Sequence, residues 1–199
     1  LSDHESYGLQ VAKLLFSYGA EINSQDMLGR TVLYICVSEG RDKMFNYLLD
    51  THAANVDFKL TDNDGNTLLN HVAANGSSKM LKKVMEKMRE RLIPFDTRNN
   101  VGFTALLLAI QNDKFLNAYI LTKQGNCSTT LKDNEKRLNA IEWVLERVEA
   151  NKDILLNVNP SSQNSSDTTT SNAGNEERLY YSAHDLQNMN INQYTLNFC

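Results

Sequence analysis

A six-residue skeleton, Asp-x-x-Gly-x-Thr, recurs along this chain of 199 residues. It spans 26–31 and 62–67 and, with Asn in place of Asp, 99–104, so the offsets between copies are 36 and 37 residues. In each copy the threonine opens an apolar run: TVLYICVSEG, TLLNHVAANG and TALLLAIQND. A fixed period of about 35 residues is the signature of a solenoid, in which each repeat buries its apolar face against its neighbours.

Each copy is followed by a second segment whose apolar residues have the three- and four-residue spacing of an amphipathic helix. These segments span 42–50, 78–92 and 113–124, and residues 8–19 have the same character before the first copy. The order of helix, turn, helix and extended connection therefore repeats. It predicts an all-α solenoid of stacked helix–turn–helix units with β-turn tips.

Glycine and threonine recur around the first helix of each unit. We expect a tight turn with positive φ before the helix, a hydroxyl cap at its start and a helix-ending residue after it. The turn residues are Gly29, Gly65 and Gly102, the caps are Thr31, Thr67 and Thr104, and the helix-ending residues are Gly40, Gly76 and Asp113.

This pattern resembles the ankyrin-repeat family, which has Asp-x-x-Gly-x-Thr-Pro-Leu-His-x-Ala-Ala-x-x-Gly, then a second helix ending in Leu-Leu, then Gly-Ala-Asp-Val-Asn. The matching segments are GAEIN at 19–23, DMLGRTVLYICVSEG at 26–40, DNDGNTLLNHVAANG at 62–76 and NNVGFTALLLAIQND at 99–113. The resemblance covers about residues 7–150. The family's Pro is replaced by Val32, Leu68 and Ala105, and its His by Tyr34, Asn70 and Leu107. We therefore expect the family's Thr-His hydrogen bond to be absent and the solenoid to be less stable than the family consensus.

The repeat spacing predicts the boundaries of six segments. They are a truncated repeat at 1–24, repeats at 25–60, 61–97 and 98–130, a degenerate capping repeat with a charged exposed face at 131–157, and a disordered Ser/Thr/Asn-rich tail at 158–199. A first helix for the truncated repeat would have to come from residues 1–6 or from upstream chain. Because the sequence begins at Leu1 and not at Met, we expect a fragment or a processed chain.

Composition argues against several functional classes. The net charge of −4 and the pI of about 5.6 disfavour sequence-independent nucleic-acid binding, which needs a basic face. No apolar stretch approaches the roughly 18 residues that span a bilayer. Three widely spaced cysteines indicate a reducing compartment, the cytoplasm or the nucleus. No nucleotide-binding, hydrolase or zinc motif is present, so we expect no enzyme, no metal and no cofactor.

Four local features have a structural interpretation that outweighs the chemical one. His71 is expected to be a hydrogen-bonded core residue and not a catalytic base, and Cys36 a small apolar residue and not a reactive thiol. The oxygen-rich loop at 62–66 resembles a calcium loop but has Ala73 at the acidic twelfth position. The basic amphipathic stretch at 79–92 could bind calmodulin or a membrane surface, but its apolar stripe is what a second helix must bury.

In ankyrin-repeat proteins the turn tips and the free face of the first helices bind other proteins, so the resemblance implies a protein partner. From the composition we expect neither a nucleic acid nor a membrane as partner, and we expect a monomer. Met27, Leu28, Val101 and Phe103 are apolar where a tip has no structural need for them, although each could fold onto a neighbouring tip. The predicted partner-binding residues are Gln25, Met27, Leu28, Arg30, Ser38, Glu39, Thr61, Asn63, Asp64, Asn66, Ala74, Asn75, Arg98, Asn100, Val101, Phe103, Gln111 and Asn112.

The sequence thus favours a non-catalytic interaction module, a scaffold or adaptor. An alternative is the targeting or regulatory arm of a larger enzyme or channel. A further alternative is a regulator of a transcription factor or an adaptor of a ubiquitin ligase, which no motif in the chain specifically supports.

Overall fold

The computed structural model describes the backbone of residues 2–156 and the side chains of residues 7–150. Residues up to Val148 form one compact unit, and every interaction described below lies within it. The tail expected at 158–199 lies outside the described residues.

The described residues form helices and contain no β-strand, which confirms the all-α prediction. The helices are α1 (Ser2–Ser17), α2 (Val32–Ser38), α3 (Asp42–Thr51), α4 (Leu68–Asn75), α5 (Ser78–Glu90), α6 (Ala105–Gln111), α7 (Phe115–Lys123) and α8 (Ala140–Leu156), with a 3-10 helix at Ala53–Asn55. An isolated bridge between Thr61 and Thr67 closes one turn. Three antiparallel pairs, α2 with α3, α4 with α5 and α6 with α7, follow the three skeleton copies.

The pairs stack into a solenoid because each helix is apolar on the side that faces its neighbours. First helix α4 packs between α2 and α6, and second helix α5 packs between α3 and α7. Leu48, Val84 and Leu121 occupy the same position in the three second helices, and each is 0% exposed. One core cluster runs through all three pairs, from Ile22 to Trp143.

The turns before the first helices have the predicted backbone geometry. Gly29, Gly65 and Gly102 have φ of 75°, 79° and 85°, a region that side chains with a Cβ atom avoid. At the other end of the helices, Gly40 and Asp113 have φ of 62° and 56°. Gly76 differs, with φ of −75°, and glycine is needed there because a Cβ atom would lie 2.8 Å from the carbonyl oxygen of Val72.

The threonine caps are confirmed in two repeats of three. The hydroxyl oxygens of Thr67 and Thr104 accept hydrogen bonds from the third amide of their helices, at 3.4 and 3.3 Å. Thr31 precedes α2 with the same extended backbone but makes no side-chain cap, so the prediction was wrong for this residue.

The family's Thr-His position is filled in three different ways. Thr67 donates its hydroxyl hydrogen to the amide oxygen of Asn70 at 3.1 Å, so the second repeat keeps a hydrogen bond there without a histidine. Tyr34 instead donates to the carbonyl oxygen of Leu60 at 2.7 Å, which ties α2 to the following connection. Leu107 is apolar and 1% exposed.

Two expectations about the ends of the solenoid are corrected. Residues 2–6 prolong α1 as one continuous helix, so they do not supply a first helix for the truncated repeat. The outward face of α8 was expected to be charged, but it exposes Ile141, Val144, Leu145 and Val148.

Candidate protein-interaction surface

Adjacent turn tips are joined by backbone hydrogen bonds that recur with the repeat. In each bond an amide of one tip donates to a carbonyl oxygen of the tip before it, which gives a ladder along the edge of the solenoid. The pairs are Asn63 with Leu28 and Asn100 with Asp64, both at 3.0 Å, and Asn134 with Val101 at 2.9 Å. The four tips therefore form one fixed row and not four independent loops.

Asparagine side chains reinforce this tip ladder. The amide nitrogen of the Asn63 side chain donates to the Met27 carbonyl oxygen at 3.0 Å, and that of Asn100 donates to the Asn63 carbonyl oxygen at 3.1 Å. Asn66 accepts from the Asn99 side chain at 2.8 Å. These predicted partner-binding amides thus already serve to join repeats, and a partner would meet only their remaining polar atoms.

Aspartates hold each tip from within. One carboxylate oxygen of Asp62 accepts from the amides of Asp64 and Asn66 at 3.0 and 2.8 Å, and the other lies 2.7 Å from Nε2 of His71. Burial raises the pKa of Asp62, but hydrogen bonds from His71 and Asn66 outweigh it and hold the pKa below its usual value. The carboxylate is occupied by N–H groups, as expected of a turn tip and not of a calcium loop.

His71 lies at the edge of the core and not inside it. Its side chain is 16% exposed, is bonded to Asp62 and meets the ring of Tyr34 with the centroids 4.6 Å apart. The predicted hydrogen bond is therefore present, while the ring faces the tip row. This contact places the open side of the first helices directly beside the tips.

The structure leaves most of the predicted partner-binding residues accessible. Met27 is 95% exposed, Leu28 54% and Val101 39%. The other exposed members are Gln25, Ser38, Glu39, Thr61, Asn63, Asp64, Asn75, Arg98, Asn100 and Asn112, and the half-buried members are Arg30, Asn66 and Gln111. Their assignment to partner binding stays a prediction.

Phe103 and Ala74 are corrections. Phe103 is 2% exposed and packs against Trp143, with ring centroids 5.5 Å apart, so it belongs to the core and cannot contact a partner. Ala74 is 7% exposed. Phe103 is buried because α8 brings Trp143 against the turn from a distant part of the chain.

The polar members at the rim have structural partners of their own. Arg30 pairs with Asp26 at 2.7 Å, and Gln25 donates to the carbonyl oxygens of Gly29 and Thr61 at 2.6 and 2.8 Å. Arg98 donates to the carbonyl oxygen of Gly102 at 3.0 Å and also to that of Lys132. Both arginines therefore stabilise the tips, and an anionic partner that bound them would compete with these hydrogen bonds and this ion pair.

Sequence reasoning missed one set of surface positions. Ile35, His71 and Leu108 each lie four residues after the threonine of their repeat, on the open side of α2, α4 and α6. Ile35 is 39% exposed, although it stands in an apolar run that otherwise forms core. The structure shows that the neighbours on either side of this position are buried in all three copies. The signal in the sequence was the repeat spacing, which puts these three residues at one equivalent position.

Two chemical candidates have the structural role that the sequence favoured. Cys36 is 3% exposed, and burial raises the pKa of its thiol to about 11. Of the predicted apolar stripe, Met80, Leu81, Val84, Met85 and Met88 lie on α5 and are at most 2% exposed. Leu92 was predicted to belong to the stripe as well, but it lies beyond the end of α5 and is 91% exposed. The stripe is core, so it is not a surface for calmodulin or a membrane.

The repeat geometry agrees with the comparisons with known proteins. The family model described as ankyrin repeats (3 copies) matches residues 4–91. An ankyrin repeat protein of Acanthamoeba polyphaga mimivirus is 29% identical over 128 residues, which cover 64% of this chain and 16% of that protein. Both comparisons support an ankyrin-repeat protein.

Ankyrin repeats are generally modules for protein–protein interaction and generally carry no catalytic activity. Among the described residues, no helix is both long and apolar enough to cross a membrane.

Proposed function

We propose that this chain is a non-catalytic, intracellular scaffold or adaptor module that binds a partner protein, and not nucleic acid or a membrane, through its tip row and the open side of its first helices. The observation that supports this most is the group of exposed apolar side chains at one end of that surface. Met27, Leu28 and Ile35 are 95%, 54% and 39% exposed. Exposed apolar residues beside polar ones are typical of protein-binding patches.

The rigidity of this surface favours binding. Backbone and side-chain hydrogen bonds fix each tip to the next, so a partner need not order the loops when it binds. Toward the middle of the row the tips become polar, with Asn63, Asp64 and Asn100 exposed, and Val101 adds an apolar group further along. A matching partner segment would place apolar side chains at the Met27 end and hydrogen-bonding groups beside the second tip.

Proximity labelling with the wild-type chain, followed by binding measurements with the purified candidate, tests this surface. We expect the double variant Met27→Glu, Leu28→Glu to lose binding while its thermal midpoint stays unchanged, because neither side chain is in the core. Leu116→Glu is the matched control, since Leu116 is 51% exposed on second helix α7, away from the tips. Unchanged binding by the double variant would refute the assignment of this surface.

The alternative, a targeting or regulatory arm of a larger protein, is favoured by one observation. The chain covers only 16% of the length of its mimivirus relative. As part of a larger protein, the same surface would bind a partner and bring it close to another domain of the same polypeptide. Determining the transcript that encodes the chain separates the two, because an enzyme or channel domain in the same reading frame would favour the alternative.

A further inference from the structure

The outer face of second helix α7 exposes a group of apolar side chains. Phe115, Leu116 and Tyr119 are 43%, 51% and 58% exposed. Tyr119 follows Phe115 by four residues and Leu116 by three, so all three lie on one side of the helix. The opposite side of α7 is core, through Ala118 and Leu121. We call the three exposed residues the α7 patch.

The solenoid does not need apolar residues at the positions of this patch. In α5 the positions equivalent to Leu116 and Tyr119 are held by Lys79 and Lys82. Both lysines are exposed, although α5 packs between α3 and α7. Neighbouring repeats on both sides thus leave these positions open, and a further repeat beyond α7 would leave Leu116 and Tyr119 open as well. Their apolar character therefore calls for a contact outside the stack of repeats.

Lysines without partners border the patch. Lys79 and Lys82 lie on α5, which packs beside α7, and Lys114 directly precedes the patch; all three are exposed. Within residues 7–150, none of their side chains forms an ion pair or a hydrogen bond. Lys83, by contrast, pairs with Asp50 at 2.7 Å. The border of the patch thus carries uncompensated positive charge on a chain whose net charge is −4.

Carboxylates limit the extent of this positive surface. Near the start of α7, the carboxylate of Asp113 is already occupied by Arg147, whose Nε donates to it at 2.9 Å. On α5, Glu86 is exposed one turn beyond Lys82, and on α3 the side chain of Asp50 is 62% exposed. A broad anionic membrane would press its phosphates against these carboxylates too. A narrow segment of a protein can contact the lysines and the patch without meeting them.

We propose that the α7 patch is a second interaction surface, which binds an acidic amphipathic segment of a partner protein. Apolar side chains of that segment pack on Leu116 and Tyr119, and its carboxylates pair with Lys79, Lys82 and Lys114. Tyrosine is enriched at the energetic centres of protein interfaces, and amphipathic helices bind through apolar residues at three- and four-residue spacing. Because the patch lies on the second helices and not on the tip row, the two surfaces can hold different protein segments.

Fluorescence anisotropy with two labelled peptides tests the proposal on the 199-residue chain. Both peptides form an amphipathic helix with one leucine face, and one peptide carries glutamate wherever the other carries lysine. We expect the glutamate peptide to bind and the lysine peptide not to bind. The double variant Leu116→Glu, Tyr119→Glu should weaken binding about tenfold or more, because it removes the centre of the interface. Lys82→Ala should weaken it by up to about fivefold, the range for an exposed ion pair.

Two variants serve as controls for this experiment. Tyr119→Phe keeps the apolar ring and should bind the glutamate peptide like the wild type. Gln10→Glu adds a negative charge at an exposed position of α1, beyond α3 in the stack, and should also bind normally. Circular dichroism melting confirms that each variant is folded, as expected for substitutions at exposed positions.

Three outcomes overturn the proposal. The first is a wild-type chain that does not bind the glutamate peptide more tightly than the lysine peptide. The second is a double variant Leu116→Glu, Tyr119→Glu that binds the glutamate peptide as tightly as the wild type. The third is sedimentation of the wild type, but not of this double variant, with phosphatidylserine vesicles, which would assign the patch to a membrane. Met27→Glu, Leu28→Glu should leave peptide binding unchanged, so a failure at the patch is distinguished from a failure at the tip row.

Discussion

Leu48 and Leu14 stand at the same position of successive repeats and have opposite environments. Leu48 is 0% exposed because α2 and α5 cover α3, whereas Leu14 is 56% exposed because, among the described residues, α1 has a neighbour on one side only. Both residues are the first leucine of a Leu-Leu pair in a second helix. The difference shows that burial in a solenoid is decided by the neighbouring repeat and not by the helix itself.

Truncating both leucines tests this difference in environment most directly. Leu48→Ala should lower the free energy of unfolding by about 2–5 kcal/mol, because it leaves a cavity in a packed core. Leu14→Ala should change it by less than about 0.5 kcal/mol, the usual range for a surface position. Urea denaturation measures both. Equal effects would mean that α1 is covered in solution.

The backbone of a turn tip, like a core side chain, depends on contact with the neighbouring repeat. Gly65 has φ of 79°, and an added Cβ atom would meet the side chain of Asn100 and lie 2.9 Å from its backbone nitrogen in the next tip. Gly65→Ala should destabilise the chain by about 3 kcal/mol, the upper range for a strained residue. Gly40→Ala is the control, since its φ of 62° carries strain but its Cβ atom meets nothing within 4 Å. Its cost should be about 1 kcal/mol, and a similar cost for both would show that the tips do not need close contact.

A buried asparagine joins two of the internal repeats. The side-chain amide of Asn117, 3% exposed, donates to the carbonyl oxygens of Ala73 and Gly76 at 3.1 Å each, at the end of α4. Asn117→Ala should cost about 2 kcal/mol, because it leaves these carbonyls without a donor. Asn112→Ala is the exposed control at the residue that follows α6, where the side chain donates to the Leu108 carbonyl oxygen at 2.9 Å. Its effect should stay within about 0.5 kcal/mol. Thermal and urea unfolding compare the two, and an equally mild effect at Asn117 would mean that water replaces the lost donor.

The smallest expected effect is the pH dependence of the Asp62 tip. Its pKa lies below the ordinary value of 3.8 in the folded chain, so its stabilisation is present above that value and is lost as the pH falls through the lowered pKa. Asp62→Asn should cost about 1 kcal/mol near neutral pH, and its stability should converge with that of the wild type in acid. Asp64→Asn removes the same charge from the exposed side of the same turn. If the free energies of unfolding of wild type and Asp62→Asn changed with pH in parallel, the role of the carboxylate would be disproved.

Much of the fold could be predicted because its signals are local. The helix pairs follow from apolar spacing, and the tips follow from glycines whose φ is positive wherever the skeleton occurs, as at Gly29 and Gly65. The same locality explains one miss. Thr31 was predicted to cap α2 because its skeleton matches those of the other two repeats, but its side chain makes no cap hydrogen bond. Whether a hydroxyl reaches the helix amides depends on small rotations that the sequence pattern does not encode.

The candidate surface was less predictable, because accessibility is a property of contacts between distant residues. Val101 and Phe103 are both apolar residues of the third tip, yet Val101 is 39% exposed and Phe103 is 2% exposed. Trp143 covers only one of them. In the same way Asn63 and Asn100 looked free for a partner, although each donates to the preceding tip.

The sequence by itself determined the repeat, its helices and the positions of its turns, since these depend on apolar spacing and on the φ angles that glycine allows. Only the tertiary structure decided which side chains the stack covers. A repeat buries its apolar faces against the repeats on both sides, so the same leucine is core in α3 and surface in α1.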